Sequence, residues 1–199
     1  MEHPLAAATL AVANEEIGAA TADAAKFYAM DARSGSLPAM FALARLLTTQ
    51  HDDQLAAYWR NRAADACFPP ALLVVAVVSS PAPLSVTRAQ AILGLAQSAL
   101  AAANELLSNR DRSWLQDYCD LVGAPLSDEG ERLLSTNPTN AMQLFEAASS
   151  VNFSRALFHL AIQACNRESR NLLRAQRLFQ QALARGPVLA GTTAEREEG

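Results

Sequence analysis

Histidines, cysteines and paired carboxylates are the residue types that most often do chemistry, and their spacing here does not form a recognisable site. The histidines are His3, His51 and His159, and none stands three or four residues from another ligand type in a metal-binding arrangement. Paired carboxylates such as Asp52 and Asp53 are sequence neighbours, so they lie on different faces of a helix or cap it. The sequence therefore predicts no catalytic residue, no cofactor and no metal ion.

The other common reactive patterns are missing as well. The cysteines Cys67, Cys119 and Cys165 are odd in number and far apart, so they form neither a disulfide framework nor a CxxC pair. We expect small buried thiols in a reducing cytoplasm. No serine lies in a G-x-S-x-G elbow, and no glycine-rich phosphate loop is present.

Arginines near the carboxyl end offer the clearest candidate for binding. Apolar residues at spacings of three, four and seven predict one buried face on the last helix: Ala175, Leu178, Phe179 and Ala182. At 100° per residue, a polar stripe lies beside that face: Arg170, Arg174, Arg177, Gln181 and Arg185. Arginine binds carboxylates through two parallel hydrogen bonds. We expect the stripe to dock an acidic segment of a partner protein; a solvated helix flank is the alternative.

The acidic segment of this chain is a second possible target for the stripe. Residues 113–150 carry six acidic and one basic residue, whereas residues 151–190 carry six basic and one acidic residue. Within the acidic segment, Trp114 and Tyr118 lie one helical turn apart, with Asp117 and Asp120 nearby. These two rings are candidate partner-binding residues, and packing between helices is the favoured alternative.

The elements that must position these residues are helices. Of the 199 residues, 51% are apolar, and the excess is in alanine and leucine, which form helices readily. A net charge of −4 excludes a generic nucleic-acid binder. The apolar run Ala71–Val78 is shorter than the roughly 20 residues that span a membrane, so we expect no membrane span. We expect this run to be a helix that a long helix within 86–108 covers; the alternatives are an exposed patch that forms a dimer or partner interface, and a β-strand.

The chain repeats itself with a period in the low thirties. A shift of 32 residues places the sequence around Ala24 on that around Ala56, and a shift of 34 places Ala141 on Ala175. Each copy begins with an alanine, followed three residues later by a large residue (Phe27, Trp59, Leu144, Leu178). Such a period is typical of stacked helical hairpins. It predicts antiparallel pairs at 22–34/38–49, 53–66/70–78 and 138–150/154–165, and a final helix at 171–185.

Capping residues agree with these bounds. Asp52, Asn137 and Asn171 each precede the leading alanine of a copy by four residues, where an N-cap is needed. Gly35, Gly186 and Asn152 suit the left-handed turn that follows a first helix. Cys67 does not suit that conformation, so we expect its turn to differ.

These features resemble the Sel-one-like repeats, which are relatives of the tetratricopeptide repeats. Their pattern of alanines and one large residue is matched over residues 24–78 and 137–190, although alanine replaces a family glycine at Ala44, Ala76 and Ala161. The glycine-rich connector between copies is missing. The resemblance implies an α-solenoid that mediates protein assembly.

The predicted fold is therefore all-α, a solenoid of antiparallel helix pairs with an irregular helical middle. We expect one domain over residues 1–190, with copies at about 24–55, 56–78, 137–170 and 171–190, an irregular insert at 79–136, and a disordered tail at 191–199. The insert is expected to hold one helix at 86–108 and a second within 110–123, with Ser113 as its candidate N-cap. A short helix is expected near 131–134.

The expected function is a non-catalytic scaffold, of an adaptor, chaperone or immunity type, that binds another protein. The alternative is an enzyme or enzyme subunit whose pocket is formed by residues 79–136. A homo-oligomer is compatible with either. The apolar segment Leu5–Ala13 imitates a signal peptide, but no Lys or Arg precedes it, so a cytoplasmic location is expected.

Overall fold

The computed structural model describes residues 21–166 and 172–184, and over these ranges it contains helices and no strand. Of the described residues, 84% are helical. We number the helices α1 to α9 in chain order. They are α1 Thr21–Arg33, α2 Leu37–Thr49, α3 Asp53–Asp65, α4 Pro69–Val78, α5 Val86–Leu106, α6 Asn109–Leu133, α7 Pro138–Ser150, α8 Ser154–Asn166 and α9 Leu172–Ala184.

The helices of the repeat copies lie where the sequence predicts them, with every described bound within one residue of the prediction. The side-chain oxygens of Asp52 and Asn137 accept hydrogen bonds from the backbone N–H groups three residues on, at 3.2 Å each, so both residues are N-caps. The predicted cap Asn171 and the tail at 191–199 lie outside the described residues. The fold prediction is thus confirmed as all-helical.

The turns that follow α1, α2, α3 and α7 share one backbone arrangement. The turn residues Gly35, His51, Cys67 and Asn152 all have positive φ, of 101°, 63°, 59° and 60°. After each, the next N–H donates to the carbonyl five residues back, for example from Phe68 to Ala63 at 3.1 Å. The prediction of a different turn at Cys67 is wrong, because these backbone hydrogen bonds hold a left-handed residue there despite its side chain.

Packing follows the repeat register. Within the described residues, helices that are neighbours in sequence pack against each other, including α1 on α2, α3 on α4 and α7 on α8. The leading alanines of the four copies are buried: Ala24, Ala56, Ala141 and Ala175. In three copies the alanine seven positions later is buried as well: Ala63, Ala148 and Ala182. The repeated alanines are therefore the positions where helices approach closely.

The chain divides into two compact units, Met1–Leu121 and Val122–Gly199. Helices α1 to α5 belong to unit 1, α7 to α9 belong to unit 2, and α6 continues from one into the other. The single domain over residues 1–190 stays a prediction.

In unit 1, the apolar helix α4 is covered as predicted by the long helix that follows it. Helix α5 packs on α4, and Ala71, Leu73 and Val74 are fully buried. Val78, at the end of α4, stays exposed.

The first part of α6 is fixed to α2 by a buried ion pair. The Nε of Arg45 donates to Oδ1 of Asp111 at 2.7 Å, and both side chains are almost fully buried. Ser108 caps the helix, since its hydroxyl accepts from the Asp111 N–H and donates to the other Asp111 carboxylate oxygen at 2.6 Å. Helix α6 thus starts after Ser108, and Ser113, the predicted cap, lies inside it.

The second part of α6 corrects another prediction. A single helix runs through Gly123, Pro125 and Gly130, where the sequence predicted an end, a polar stretch and a new short helix. A Cβ at Gly123 would lie 2.6 Å from Cβ of Phe153, and one at Gly130 would lie 2.9 Å from Cε1 of Phe145. Both glycines therefore let aromatic rings of unit 2 approach the α6 backbone, which is a packing role rather than a helix-ending one.

Candidate partner-binding surface

The repeat register places the predicted arginine stripe on a defined face of the first helix of each copy. In unit 2, Arg174, Arg177 and Gln181 are exposed on α9. A shift of 34 residues relates them to Asn140, Gln143 and Ala147 on α7, which are exposed or half-exposed. We call these six positions the first-helix face of unit 2. Arg170 and Arg185, the remaining stripe residues, lie outside the described residues.

Unit 1 presents the same positions with different chemistry. On α3 the equivalent residues are Leu55, Tyr58 and Arg62, and all three are exposed. A shift of 32 residues relates Tyr58 and Arg62 to Lys26 and Met30 on α1, which are exposed as well. We call these five residues the first-helix face of unit 1. This face is aromatic and apolar with two cations, whereas that of unit 2 is polar with two arginines.

The side chains on α3 are held in position by one another. Nη1 of Arg62 donates to the Tyr58 hydroxyl at 3.2 Å, and its guanidinium lies 5.6 Å from the centroid of the Trp59 ring. The rings of Tyr58 and Trp59 meet edge to face at 5.1 Å. Trp59 is itself buried, so an exposed tyrosine and an exposed arginine are anchored on the core.

Two acidic residues of the segment 113–150 are paired with cations of α8. In unit 2, Nη1 of Arg155 lies 2.7 Å from Oδ1 of Asp128 and 3.5 Å from Oε1 of Glu131. Nε2 of His159 lies 3.0 Å from the same Glu131 oxygen. Arg155 and His159 of α8 therefore contact two of the six acidic side chains of the segment that the sequence offered as a target for the stripe.

Trp114 and Tyr118, the candidate binding rings, pack within unit 1. The Trp114 ring lies 5.0 Å from that of the fully buried Phe41 and 5.2 Å from that of Tyr118. Both rings are half-buried. They fasten α6 to α2, so the packing interpretation accounts for most of their surface.

Ionisable groups near Tyr118 are perturbed by burial. Burial raises the pKa of Tyr118 above its usual value of 10.0; the nearby Arg60 works against the shift and Asp117 adds to it. Burial likewise raises the pKa of the Asp117 carboxyl above 3.8. Elsewhere on α6, a hydrogen bond from Arg132 lowers the pKa of Glu129 below 4.5. These groups are spread along one helix rather than gathered around a common point.

Cysteine placement differs from the prediction. Cys119 is fully buried, but Cys67 and Cys165 are exposed. The expectation of buried thiols is therefore wrong for two of the three, because Cys67 lies in a hairpin turn and Cys165 lies on the outer side of α8. Among the described residues, no group of three or more His, Cys, Asp and Glu is arranged to hold a metal ion.

The sequence missed the most exposed apolar surface of unit 2. The predicted buried face of α9 holds for Ala175 and Ala182, but Leu178 and Phe179 are only half-buried. On the same helix Leu172, Leu173 and Leu183 are 61%, 70% and 79% exposed. The sequence already contained the signal, since these leucines lie off the i, i+3, i+4, i+7 pattern of the predicted buried face.

Comparison of the chain with protein-family models, with curated proteins and with solved structures gives no match. Within the described residues, no helix is both long and apolar enough to cross a membrane.

Proposed function

We propose that this chain is a non-catalytic helical-repeat protein of the solenoid type, related to the Sel-one-like repeats, that binds a partner protein through its first-helix faces. The observation that carries the proposal is the periodic exposure of equivalent positions. Tyr58 and Arg62 on α3, and Arg177 and Gln181 on α9, occupy the same repeat positions as exposed or half-exposed residues of the preceding copies. A surface that recurs with the repeat suits an extended partner that runs across successive hairpins.

The composition of the two faces indicates what such a partner presents. Tyrosine and arginine are the residue types that most often dominate the energy of protein interfaces. Arg174 and Arg177 add two guanidinium groups on one side of α9, whose described residues Leu172–Ala184 include no acidic residue. A partner bound to unit 2 is therefore favoured to carry carboxylates opposite α9, and one bound to unit 1 is favoured to carry an apolar or aromatic residue opposite α3.

The ionisable residues of the middle segment support a non-catalytic role. Asp111 is engaged by Arg45 and Ser108 in the interior of unit 1. Asp128 and Glu131 are engaged by Arg155 and His159 in unit 2. Their contacts are explained by the attachment of helices, so the proposal assigns them no reaction.

The test is capture of a partner by the full chain from its native lysate, followed by affinity measurement with the purified partner. We expect the double variant Arg174→Glu/Arg177→Glu to weaken binding by about tenfold or more, with a larger loss at low salt, because reversed charges repel carboxylates and salt screens that repulsion. Tyr58→Ala is expected to weaken binding separately, because it removes an anchored aromatic side chain.

The matched control reverses two exposed arginines away from both faces, Arg88→Glu on α5 and Arg110→Glu on α6, with the same change in net charge. Circular dichroism checks that every variant keeps its helix content. Equal affinities for the face variants and the control would contradict the proposal, as would a captured partner that binds with turnover of a substrate.

A further inference from the structure

The sequence that follows helix α9 differs from that of the second helices α2, α4 and α8. In the other hairpins, α1, α3 and α7 pack against α2, α4 and α8. A shift of 34 residues places residues 188–199 where α8 would recur. These residues have Gly191, Glu195 and Glu198 where α8 buries Leu157, Ala161 and Ala164. The sequence after α9 thus does not repeat the apolar pattern that covers α7.

Burial on α9 reflects this difference. Phe145 on α7 is fully buried and stacks on His159 of α8 at 4.5 Å. Its repeat equivalent on α9 is Phe179, which is half-exposed and touches Phe158 of α8 edge-on at 5.4 Å. Phe158 is itself exposed, and so is Ile162, one turn further along α8. An apolar strip therefore runs along α8 and α9 on one side of unit 2.

The α9 part of this strip has the spacing of a helix-pairing seam. Leu172, Gln176, Phe179 and Leu183 follow one another at intervals of four, three and four residues, and at 100° per residue they fall within an arc of about 60°. Apolar residues at alternating intervals of three and four form the contact line between paired helices, and a single polar residue in that line selects register. We call these four residues the α9 seam.

The seam is separate from the first-helix face. Arg174, Arg177 and Gln181 lie about 160° away around the same helix. The four seam residues carry no charge, and neither do Phe158 and Ile162. Occupation of the seam therefore leaves the arginines facing solvent, and it brings no like charges together.

We infer that the α9 seam is the contact between two copies of this chain, each of which supplies the helix that covers the other. The intervals of four, three and four read the same in both directions. A twofold axis at the middle of α9 then places Leu172 opposite Leu183 of the second copy, and Gln176 opposite Phe179 of the second copy. A twofold of this kind makes the two helices antiparallel, as the helices of a hairpin are. An uncharged, palindromic seam fits itself, whereas it offers no charge pattern by which to select a different protein.

The experiment is sedimentation equilibrium of the full chain over a concentration series, with reductant present so that the exposed Cys165 forms no disulfide. We expect a reversible dimer of twice the 21.2 kDa chain mass. Leu183→Glu should raise the dimer dissociation constant by about tenfold or more, because it places a charge in an apolar contact. Leu173→Glu is the matched control, since this leucine is exposed on the same helix but lies outside the seam.

Orientation is tested by a second variant. In a chain that also carries Cys67→Ser and Cys165→Ser, which removes the exposed native thiols, the pair Leu172→Cys/Leu183→Cys should cross-link the dimer under mild oxidation. Leu173→Cys in the same chain should not, because only the seam positions face each other across the twofold. A chain that remains monomeric at every concentration overturns the inference and leaves the seam to a helix of another protein. Equal effects of Leu183→Glu and Leu173→Glu overturn it as well. Because the arginines lie on the other side of α9, neither result bears on partner binding by the first-helix faces.

Discussion

The two parts of helix α6 are held in place by opposite means. Residues 109–121 dock in unit 1 through functional groups: a capped amino terminus, a buried ion pair to Arg45 and the ring of Trp114 on Phe41. Residues 122–133 pack in unit 2 by close approach to the helix backbone. Gly123 and Gly130 have no side chain, so the rings of Phe153 and Phe145 can pack directly against it. One continuous helix is therefore held by a buried ion pair at one end and, at the other, by close packing on its backbone beside ion pairs that are partly exposed.

The largest effect is expected at the buried ion pair. Arg45→Met should cost about 3–5 kcal/mol in the free energy of unfolding, because it leaves the Asp111 carboxylate buried without its cation. The double variant Arg45→Met/Asp111→Leu should recover most of that loss, because no buried charge remains. Urea unfolding of the two variants measures both values. A double variant as unstable as the single one would show that the pair is not the source of the cost.

The glycine contact comes next. Gly123→Ala should cost about 1–3 kcal/mol, because its Cβ would meet Cβ of the buried Phe153 at 2.6 Å. Gly94→Ala makes the same chemical change in α5, where nothing lies within 4 Å of the added atom. It should stabilise the protein by about 0.5–1 kcal/mol, because alanine is the better helix residue. Thermal unfolding of both variants should therefore give shifts of opposite sign.

A smaller effect is expected at the surface ion pair of the second part. Arg155→Ala removes the contacts to Asp128 and Glu131, which are partly exposed. The loss should be about 0–1 kcal/mol, because solvent screens exposed charges. Repeating the urea measurement in high salt should shrink the difference between wild type and variant. If Arg155→Ala lowered the free energy of unfolding as much as Arg45→Met, the two parts of α6 would not differ in how strongly their ion pairs stabilise the fold.

The smallest effect concerns alkaline stability. Burial raises the pKa of Tyr118 in the folded chain, so the unfolded chain releases this proton first as pH rises. The stabilisation is fully present below about pH 10, the usual tyrosine value, and is lost as pH rises through the raised pKa. Tyr118→Phe should therefore lose less stability than wild type between neutral and alkaline pH. Parallel melting curves of the two proteins across that range would contradict the prediction.

The repeat helices were predictable because caps, periodic alanines and turn residues all indicate the same bounds. The full length of helix α6 was not predictable, because Gly123, Pro125 and Gly130 usually indicate the end of a helix when only the local sequence is considered. The reason for the glycines is Phe153 and Phe145, which follow them at sequence distances that no local pattern covers. The prediction of a different turn at Cys67 was wrong for a related reason. The preference of a residue with a side chain for negative φ is outweighed there by the backbone hydrogen bonds of the turn.

The candidate surface was predictable in part. Helical periodicity was enough to place Arg174, Arg177 and Gln181 on a common side of α9, and all three are exposed there. Periodicity also assigned Phe179 to the core, and here it was wrong. Full burial of that position needs a second helix, as Phe145 has in α8, and the sequence of α9 alone does not supply one.

The ion pair between Arg45 and Asp111 also bears on the order of folding. Each hairpin of the repeat closes through contacts between sequence neighbours, so it loses little chain entropy and forms early. Arg45 and Asp111 are 66 residues apart, and α3, α4 and α5 lie between them. Closing so long a loop is costly until the intervening helices have shortened it by packing on one another. We expect the start of α6 to be the last element of unit 1 to dock, and the first to detach on unfolding.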